Sequence, residues 1–276
     1  MTMLHELLAT YPQLSHRVMD VLALMSQFTG LSTAQCMVMT KKDNPHVYKP
    51  LSQQCARLAE GYPLAYLQGF VTVQTRDYLV TEDTLIPRPE TELWLHQLAV
   101  FRDRKKPLQW LECGTGSGWV AIEMALLTAW QITAMERCPK ALKVAKLNAL
   151  KHQAEVTWLQ HDWSKDWPIG HIDGVFANPP YIPEHDPHLE GGIRYEPRSA
   201  LVASDNGLSD IVTIIQQACL HLKHGGWLVI EHGFDQALAV KEALRLAGFG
   251  GIRTWQDEYQ NDRMTLGSFQ ADLKWG

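Results

Sequence analysis

From Gln109 onward the chain alternates short apolar runs with amphipathic ones, and that alternation admits few folds. The spacing predicts strands at 109–113, 131–136, 156–159, 173–178 and 226–231, separated by helices at 119–128, 139–152, 209–221 and 236–247. Strands that alternate with helices pair in parallel and carry helices on both faces of the sheet. Two further strands, 252–255 and 264–269, have no helix between them and are expected to pair antiparallel. The expected fold class is α/β, a seven-stranded doubly wound sheet.

In such sheets ligands bind beyond the carboxyl ends of the strands, and the chemically suggestive residues fall there. Gly114-Thr115-Gly116-Ser117-Gly118 follows the first strand and enters the helix at Trp119, letting backbone approach a ligand closely. A dinucleotide fingerprint needs a third glycine where Trp119 stands, so the turn suits a compact cofactor without a pyrophosphate. Glu136 ends the second strand, where a carboxylate can accept from both hydroxyls of a ribose; the blander reading is a surface acid paired with Arg137. Asp162 and Trp163 follow the third strand, an acid to accept from an adenine amine and an indole to pack on the ring, unless Trp163 is plain core. Glu112, just before the glycine turn, can orient a methionyl ammonium directly or through water.

The apolar run Gly174-Val175-Phe176-Ala177 leads into Asn178-Pro179-Pro180-Tyr181. The Asn178 side-chain oxygen and the Pro179 carbonyl can each accept one hydrogen of a planar NH₂ group, whether amide or base amine. Proline fixes φ and lacks an N–H, so the Pro179 carbonyl is aimed rigidly. Tyr181 offers a flat apolar face for stacking. Asn-Pro and Pro-Pro are also common turn dipeptides, but the position after a strand and downstream of the glycine turn favours function. Together the two motifs read as methyl transfer to a planar nitrogen.

Residues 1–60 read as helices. Val18, Val21, Leu22, Leu24, Met25 and Phe28 recur at helical spacing, and Gly30 sits at a helix C-terminus. Ser32 or Thr33 caps a short helix through Met39, and Pro50 is expected to open another that Gly61 ends. The expected domains are a helical one at 1–69, a hairpin or extended linker at 70–86, and the α/β domain at 87–276. Pro89 suits the first turn of a helix whose dipole Glu90 and Glu92 complement, which leaves Arg88 without a role.

The 5 cysteines are scattered with no Cys-x-x-Cys pair, which argues against a disulfide framework or zinc ribbon and for a reduced, cytoplasmic setting. The 12 histidines are dispersed, His185 and His188 read as loop residues, and no metal site is expected. Net charge is −5, and the densest basic patch (Arg102, Arg104, Lys105, Lys106) is broken by Asp103, so no direct nucleic-acid binding is expected. Neither a membrane span nor a secretion signal is expected, and the chain is read as a monomer.

The residues gathered so far resemble the HemK/PrmC family of release-factor glutamine N5-methyltransferases over essentially the whole chain. Asn178-Pro179-Pro180-Tyr181, residues 85–92 and Gly61-x-Pro63-Leu64-x-Tyr66-Leu67-x-Gly69 carry the resemblance most specifically. Asp186-Pro187-His188-Leu189, Arg194-Tyr195-Glu196-Pro197 and Ala200-Leu201-Val202-Ala203 also look like this family. The resemblance implies an S-adenosylmethionine-dependent methyltransferase sheet and a helical substrate-recognition domain joined to it by a hairpin. It further implies, as substrate, the glutamine of the Gly-Gly-Gln loop of peptide chain release factors. S-adenosylmethionine is then expected against Glu112, Gly114, Thr115, Gly116, Ser117, Gly118, Glu136, Asp162, Trp163 and Asn178, and catalysis at Asn178, Pro179, Pro180 and Tyr181. Glu112 and Glu136 stand where aspartate is commoner, keeping the charge, and Thr72-Val73-Gln74 replaces the usual Glu-Phe-Trp of the hairpin.

Two rival readings remain at the level of sequence. A nucleic-acid amino-methyltransferase holds a base amine with the same kind of tetrapeptide, but it usually needs a basic recognition surface or base-flipping apparatus. The acidic stretch 184–190 and the negative net charge argue against it. A cofactor-binding module without catalysis would have no need of an intact Asn178-Pro179-Pro180-Tyr181.

Overall fold

The structure, a computed structural model, describes residues 1–97 and 107–270; the basic patch at 102–106 lies outside them. The chain forms two compact units, Met1–Val71 with Glu190–Tyr195, and Thr72–Leu189 with Glu196–Gly276. Among the described residues no helix is long and apolar enough to cross a membrane.

The first unit is built from α1 (Met3–Thr10), α2 (Val18–Thr29), α3 (Thr33–Val38), α4 (Pro45–Ala59) and α5 (Leu64–Gln68). Ser32 caps α3 in a reciprocal box: the Gln35 N–H donates to Ser32 Oγ at 3.4 Å, and the Ser32 N–H donates to Gln35 Oε1 at 2.9 Å. Pro45, not Pro50, opens α4, and Pro50 lies inside the helix. Pro50 has no N–H to donate to the preceding turn. The stripe Leu51, Cys55 and Leu58, buried against Leu7, Val21 and Met25, outweighs the lost bond and holds the segment helical.

A hairpin follows, β1 (Phe70–Val73) and β2 (Arg76–Leu79), with Gln74 in a left-handed conformation at its turn. The division between the units falls inside β1.

The second unit carries α6 (Pro89–Gln97), β3 (Gln109–Cys113), α7 (Trp119–Leu127), β4 (Gln131–Glu136), α8 (Pro139–His152), β5 (Thr157–Gln160) and β6 (Ile172–Ala177). It continues through α9 (Ser204–Gly207, a single turn), α10 (Ser209–His221), β7 (Leu222–Glu231), α11 (Ala237–Leu246), β8 (Phe249–Gln256) and β9 (Asp262–Phe269). The seven strands lie in the order β5-β4-β3-β6-β7-β9-β8. β3 to β7 pair in parallel, and β9 runs antiparallel to both β7 and β8, as the missing helix between the last strands requires. β7 and β8 begin earlier than their apolar runs suggest, because Leu222 pairs with Ile172 and Phe249 with Phe269.

Strand order reverses between β3 and β6, and a crevice at such a switch point is the usual ligand site of an open α/β sheet. The register Cys113↔Ala177 makes Gly114 and Asn178 the next residues of neighbouring strands. Both central strands are buried nearly throughout because helices cover both faces of the sheet.

Candidate active site

Gly114 and Gly118 both adopt positive φ, 74° and 82°. A Cβ on Gly114 would stand 2.6 Å from a Trp163 ring carbon, and one on Gly118 would stand 2.8 Å from Ala145 Cβ. The first glycine lets the indole lie against the turn, and the second lets α7 start close against α8.

Two cavities share Leu85, Gly114, Gly116 and Asn178. One, of about 220 Å³, adds Glu136, Trp163 and Pro180 to its lining; the other, of about 40 Å³, adds Glu112, Thr115, Ser117 and Thr91. Among the expected residues Gly118, Asp162, Pro179 and Tyr181 line neither cavity. A larger cavity of about 1000 Å³ opens at the opposite end of the strands, around Gln109, Gln131 and Ile172. It gathers none of the motif residues, so volume alone does not mark the site.

Glu136 is 8% exposed and binds backbone: Gly116 N–H donates to Oε2 at 3.0 Å and Cys138 N–H to Oε1 at 2.8 Å. Each oxygen retains acceptor capacity toward the cavity. Arg137 does not take the carboxylate; its guanidinium lies over the Trp163 ring, 5.8 Å from the centroid. Trp163 belongs both to the apolar core and to the cavity wall, anchored by Nε1 donating to Asp210 Oδ1 at 3.1 Å. Asp162 accepts from Ser164 N–H at 2.9 Å, and that bond holds its carboxyl below the usual range.

Glu112 is 4% exposed, with Oε2 accepting from Thr115 Oγ1 and, at 3.1 Å, from Ala121 N–H. Burial pushes its carboxyl up to about 8 despite those bonds, and the Glu136 charge adds to the rise. The adjoining space is therefore electrostatically suited to a cation.

Asn178 Nδ2 donates to Thr91 Oγ1 at 3.2 Å. The side-chain oxygen is thereby turned the other way, as an acceptor. Pro179 and Pro180 are buried behind it. Tyr181 packs partly buried on the core, its backbone carbonyl accepting from Gln236 Nε2 at 3.0 Å, so its ring is not brought into the cavity lining. The following residue is laced to the 200–203 segment: Ile182 N–H donates to Leu201 O at 2.9 Å and Ala203 N–H to Ile182 O at 3.0 Å.

Arg88 now has a partner. It pairs with Glu196, whose other oxygen accepts from Ile86 N–H at 2.9 Å. The pair ties together residues 85–92 and 196–197, two stretches that carry the family resemblance and look unrelated in sequence. Sequence reasoning missed Thr91, because a threonine in a helix's first turn looks like capping chemistry. It also missed Glu231, although an acid ending a buried strand at the same end of the sheet as Asn178 was the signal to follow.

In comparisons with known proteins, the profile of the family described as Methyltransferase small domain matches residues 90–191. The chain is 40% identical over 217 residues to the release factor glutamine methyltransferase of Escherichia coli (strain K12), covering 77% of this chain and 78% of that protein. It is 37% identical over 255 residues to the protein of the same name from Salmonella typhimurium, covering 91% of each. Among solved structures, a methyltransferase from Pyrococcus furiosus superposes with a TM-score of 0.55 at 18% identity, over 79% of this chain and 98% of that one. The ribosomal protein L11 methylase from Lactobacillus delbrueckii subsp. bulgaricus gives 0.51 at 19% identity, over 68% and 81%. At such identities the likeness concerns the fold, and the fold is the seven-stranded methyltransferase sheet the alternation predicts.

Proposed function

The chain belongs to the release factor glutamine methyltransferase family, and on that premise we propose how its residues act. It transfers a methyl group from S-adenosylmethionine to the side-chain amide nitrogen of the glutamine in the Gly-Gly-Gln loop of peptide chain release factors. The observation that supports this best is Asn178 beside the glycine turn, its Nδ2 committed to Thr91 and its oxygen left to accept.

When bound, S-adenosylmethionine supplies an electrophilic methyl group on a sulfonium. The residues around the two cavities fit it: Glu136 for the ribose hydroxyls, Trp163 for the adenine ring, and Glu112 for the methionyl ammonium. Asp162, just outside the lining, would accept from the adenine amine, and the backbone of the glycine turn would let the cofactor approach closely.

A glutamine nitrogen is a poor nucleophile because its lone pair is delocalised into the carbonyl. Asn178 Oδ1 and the Pro179 carbonyl accept its two hydrogens, which orients the nitrogen and stabilises the positive charge that develops on it. Methylation makes that nitrogen strongly acidic, so its proton passes to water and no side chain acts as base. Tyr181 acts through its place in the core and the Gln236 bond, which fix the loop carrying the two acceptors. The helical unit, residues 1–69, recognises the release factor beyond its Gly-Gly-Gln tip, since the tip offers few side chains to read.

The test is transfer of labelled methyl to intact release factor, followed by mass-spectrometric mapping. The expected product carries one methyl on the Gly-Gly-Gln glutamine, and a short Gly-Gly-Gln peptide is a far poorer substrate. Labelling of total RNA or DNA in place of the factor would overturn the reading in favour of a nucleic-acid amino-methyltransferase.

A further inference from the structure

Glu231 is the last residue of β7 and is 1% exposed. The parallel register Ala177↔Ile230 makes it the neighbour, one residue on, of Asn178. Thr91, 2% exposed on α6, and Asn178 both face its carboxyl and favour its ionised form. Asn178 Nδ2 donates to Thr91 Oγ1 at 3.2 Å, so the donor edge of the amide is turned inward, on the side of Thr91 and the Glu231 carboxyl. Among the described residues Glu231 Oε2 has no hydrogen-bond partner.

The same unit contains a buried acid of the other kind. Glu123, fully enclosed, accepts from Arg76 Nη1 at 3.1 and 3.0 Å and from the Tyr78 hydroxyl at 2.5 Å. That carboxylate is paired as a structural acid should be. Among the described residues Glu231 has no such ion pair: the nearby guanidinium of Arg263 bonds Asp257 at 2.8 Å. A buried carboxyl with an orphan oxygen destabilises the fold that holds it, so packing alone does not account for an acid at this position.

We propose that Glu231 is a positioning residue for methyl transfer: through Thr91 and directly, it locks the Asn178 amide with Nδ2 inward and Oδ1 outward toward the substrate amide. The inference rests on the reading of Asn178 as the acceptor for the substrate nitrogen. An amide has two near-equivalent orientations, and one of them would present a donor, Nδ2, to a substrate NH₂ that has only donors to offer. An ionised carboxylate accepts and cannot donate, so it forbids that flip. A protonated carboxyl can donate and permits it.

The groups facing Glu231 are Thr91 and Glu90 on α6, Asn178 and Tyr181 after β6, and Arg263 on β9. Burial pushes the Glu231 carboxyl up to about 7, Glu90 adds to the rise, and Thr91, Arg263 and Asn178 oppose it. The ionised, amide-locking form therefore gives way as pH falls through about 7.

The experiment uses the full chain with intact release factor and compares Glu231→Gln, Thr91→Val and Thr91→Ser with wild type. Glu231→Gln is expected to lower kcat by roughly 10–100-fold, the scale of a misplaced reacting group, with S-adenosylmethionine affinity by calorimetry unchanged. The wild-type kcat falls as pH drops through about 7, and in Glu231→Gln that acid limb disappears. Thr91→Val lowers kcat in the same direction, and Thr91→Ser, which keeps the hydroxyl, restores it. Wild-type kcat and an unchanged acid limb in Glu231→Gln overturn the proposal, as does an equal loss of cofactor affinity. If Glu231→Gln does not fold, the Thr91 pair decides: equal rates for Val and Ser sink the idea. A wild-type enzyme that methylates no release-factor glutamine defeats the functional reading itself, a result distinct from any of these.

Discussion

Among the described residues, those buried in the helical unit are all apolar, from Met3 and Leu7 to Leu58 and Tyr62, whereas the sheet unit encloses Glu112, Glu123, Glu136, Glu196, Glu231 and His232. An apolar core gains stability from burial roughly in proportion to its area. A buried carboxylate loses solvation and must recover it from bonds it finds inside. Glu136 recovers it from backbone N–H groups, Glu123 and Glu196 from arginines, while Glu112 and Glu231 recover it only in part. The acids left incompletely compensated stand at the carboxyl ends of β3 and β7, beside the glycine turn and Asn178. Among the described residues, incompletely compensated acid burial thus follows the proposed site.

The sharpest way to break that contrast is a core truncation in the helical unit. Leu24→Ala removes a fully enclosed side chain from α2 and is expected to cost about 2–5 kcal/mol of stability. Thermal unfolding should shift accordingly, while calorimetry on the folded protein finds S-adenosylmethionine affinity unchanged. Weakened cofactor binding well below the unfolding transition would show that the helical core contributes to the site.

Asn178→Ala tests the opposite case. Loss of one well-placed catalytic hydrogen bond typically costs about 10²–10³ in rate, and cofactor affinity should stay within about a few-fold, since truncating a group that acts on the transition state lowers kcat selectively. A merely tenfold loss of activity, or abolished cofactor binding in a folded protein, would contradict the assignment of Asn178 to the substrate amide. Glu136→Ala should do the reverse. Removing a charge-assisted acceptor costs about 1.5–3 kcal/mol, here seen as a raised KM for S-adenosylmethionine with kcat at saturation preserved. An unchanged KM with a collapsed kcat would place Glu136 in the chemical step.

The sheet was legible because its signal is repetitive: short apolar runs alternate with amphipathic ones, and α8, α10 and α11 each bury a stripe of helical period. The glycine turn and Asn178 stood out as candidates because few other tasks need those residues in that order, and the register of β3 and β6 sets them side by side. Pro50 misled because a proline usually marks a helix start, and only the tertiary stripe through Leu51, Cys55 and Leu58 reveals a helix already under way. Arg88 and Glu196 were unreadable as a pair because their partnership crosses a long stretch of sequence and closes only when β6 and its loop return to α6. Tyr181 was readable as an aromatic but not as one packed on the core, since the cluster it packs against is assembled from strands and helices distant in sequence. Thr91 and Glu231 owe their role to geometry: each is unremarkable until Asn178 is placed between them.

The smallest expected effect concerns Glu112 and separates the two units by pH. Its carboxyl is raised from 4.5 to about 8 by burial in the folded protein. A group raised in this way contributes stability that is fully present below about 4.5 and is lost as pH rises through about 8, because ionising it in place costs more than ionising it in the unfolded chain. The cofactor-free enzyme should therefore melt progressively lower between pH 5 and pH 9, by about 2–4 °C for each kcal/mol lost. Glu112→Gln keeps an acceptor for Thr115 and Ala121 but cannot ionise, so its melting temperature should decline less over the same range. Glu231, raised to about 7, acts in the same direction, so some slope persists in the variant. Leu24→Ala should lower the whole curve without changing its slope, since among the described residues no carboxyl is buried in its core. Cofactor binding sharpens the distinction further: a methionyl ammonium beside Glu112 favours the carboxylate, so binding at pH 7 releases a proton. Calorimetry in two buffers of different ionisation enthalpy should register that proton in the wild type and lose it in Glu112→Gln. Identical proton release in both would remove Glu112 from the ammonium site while leaving the fold and the reaction as described.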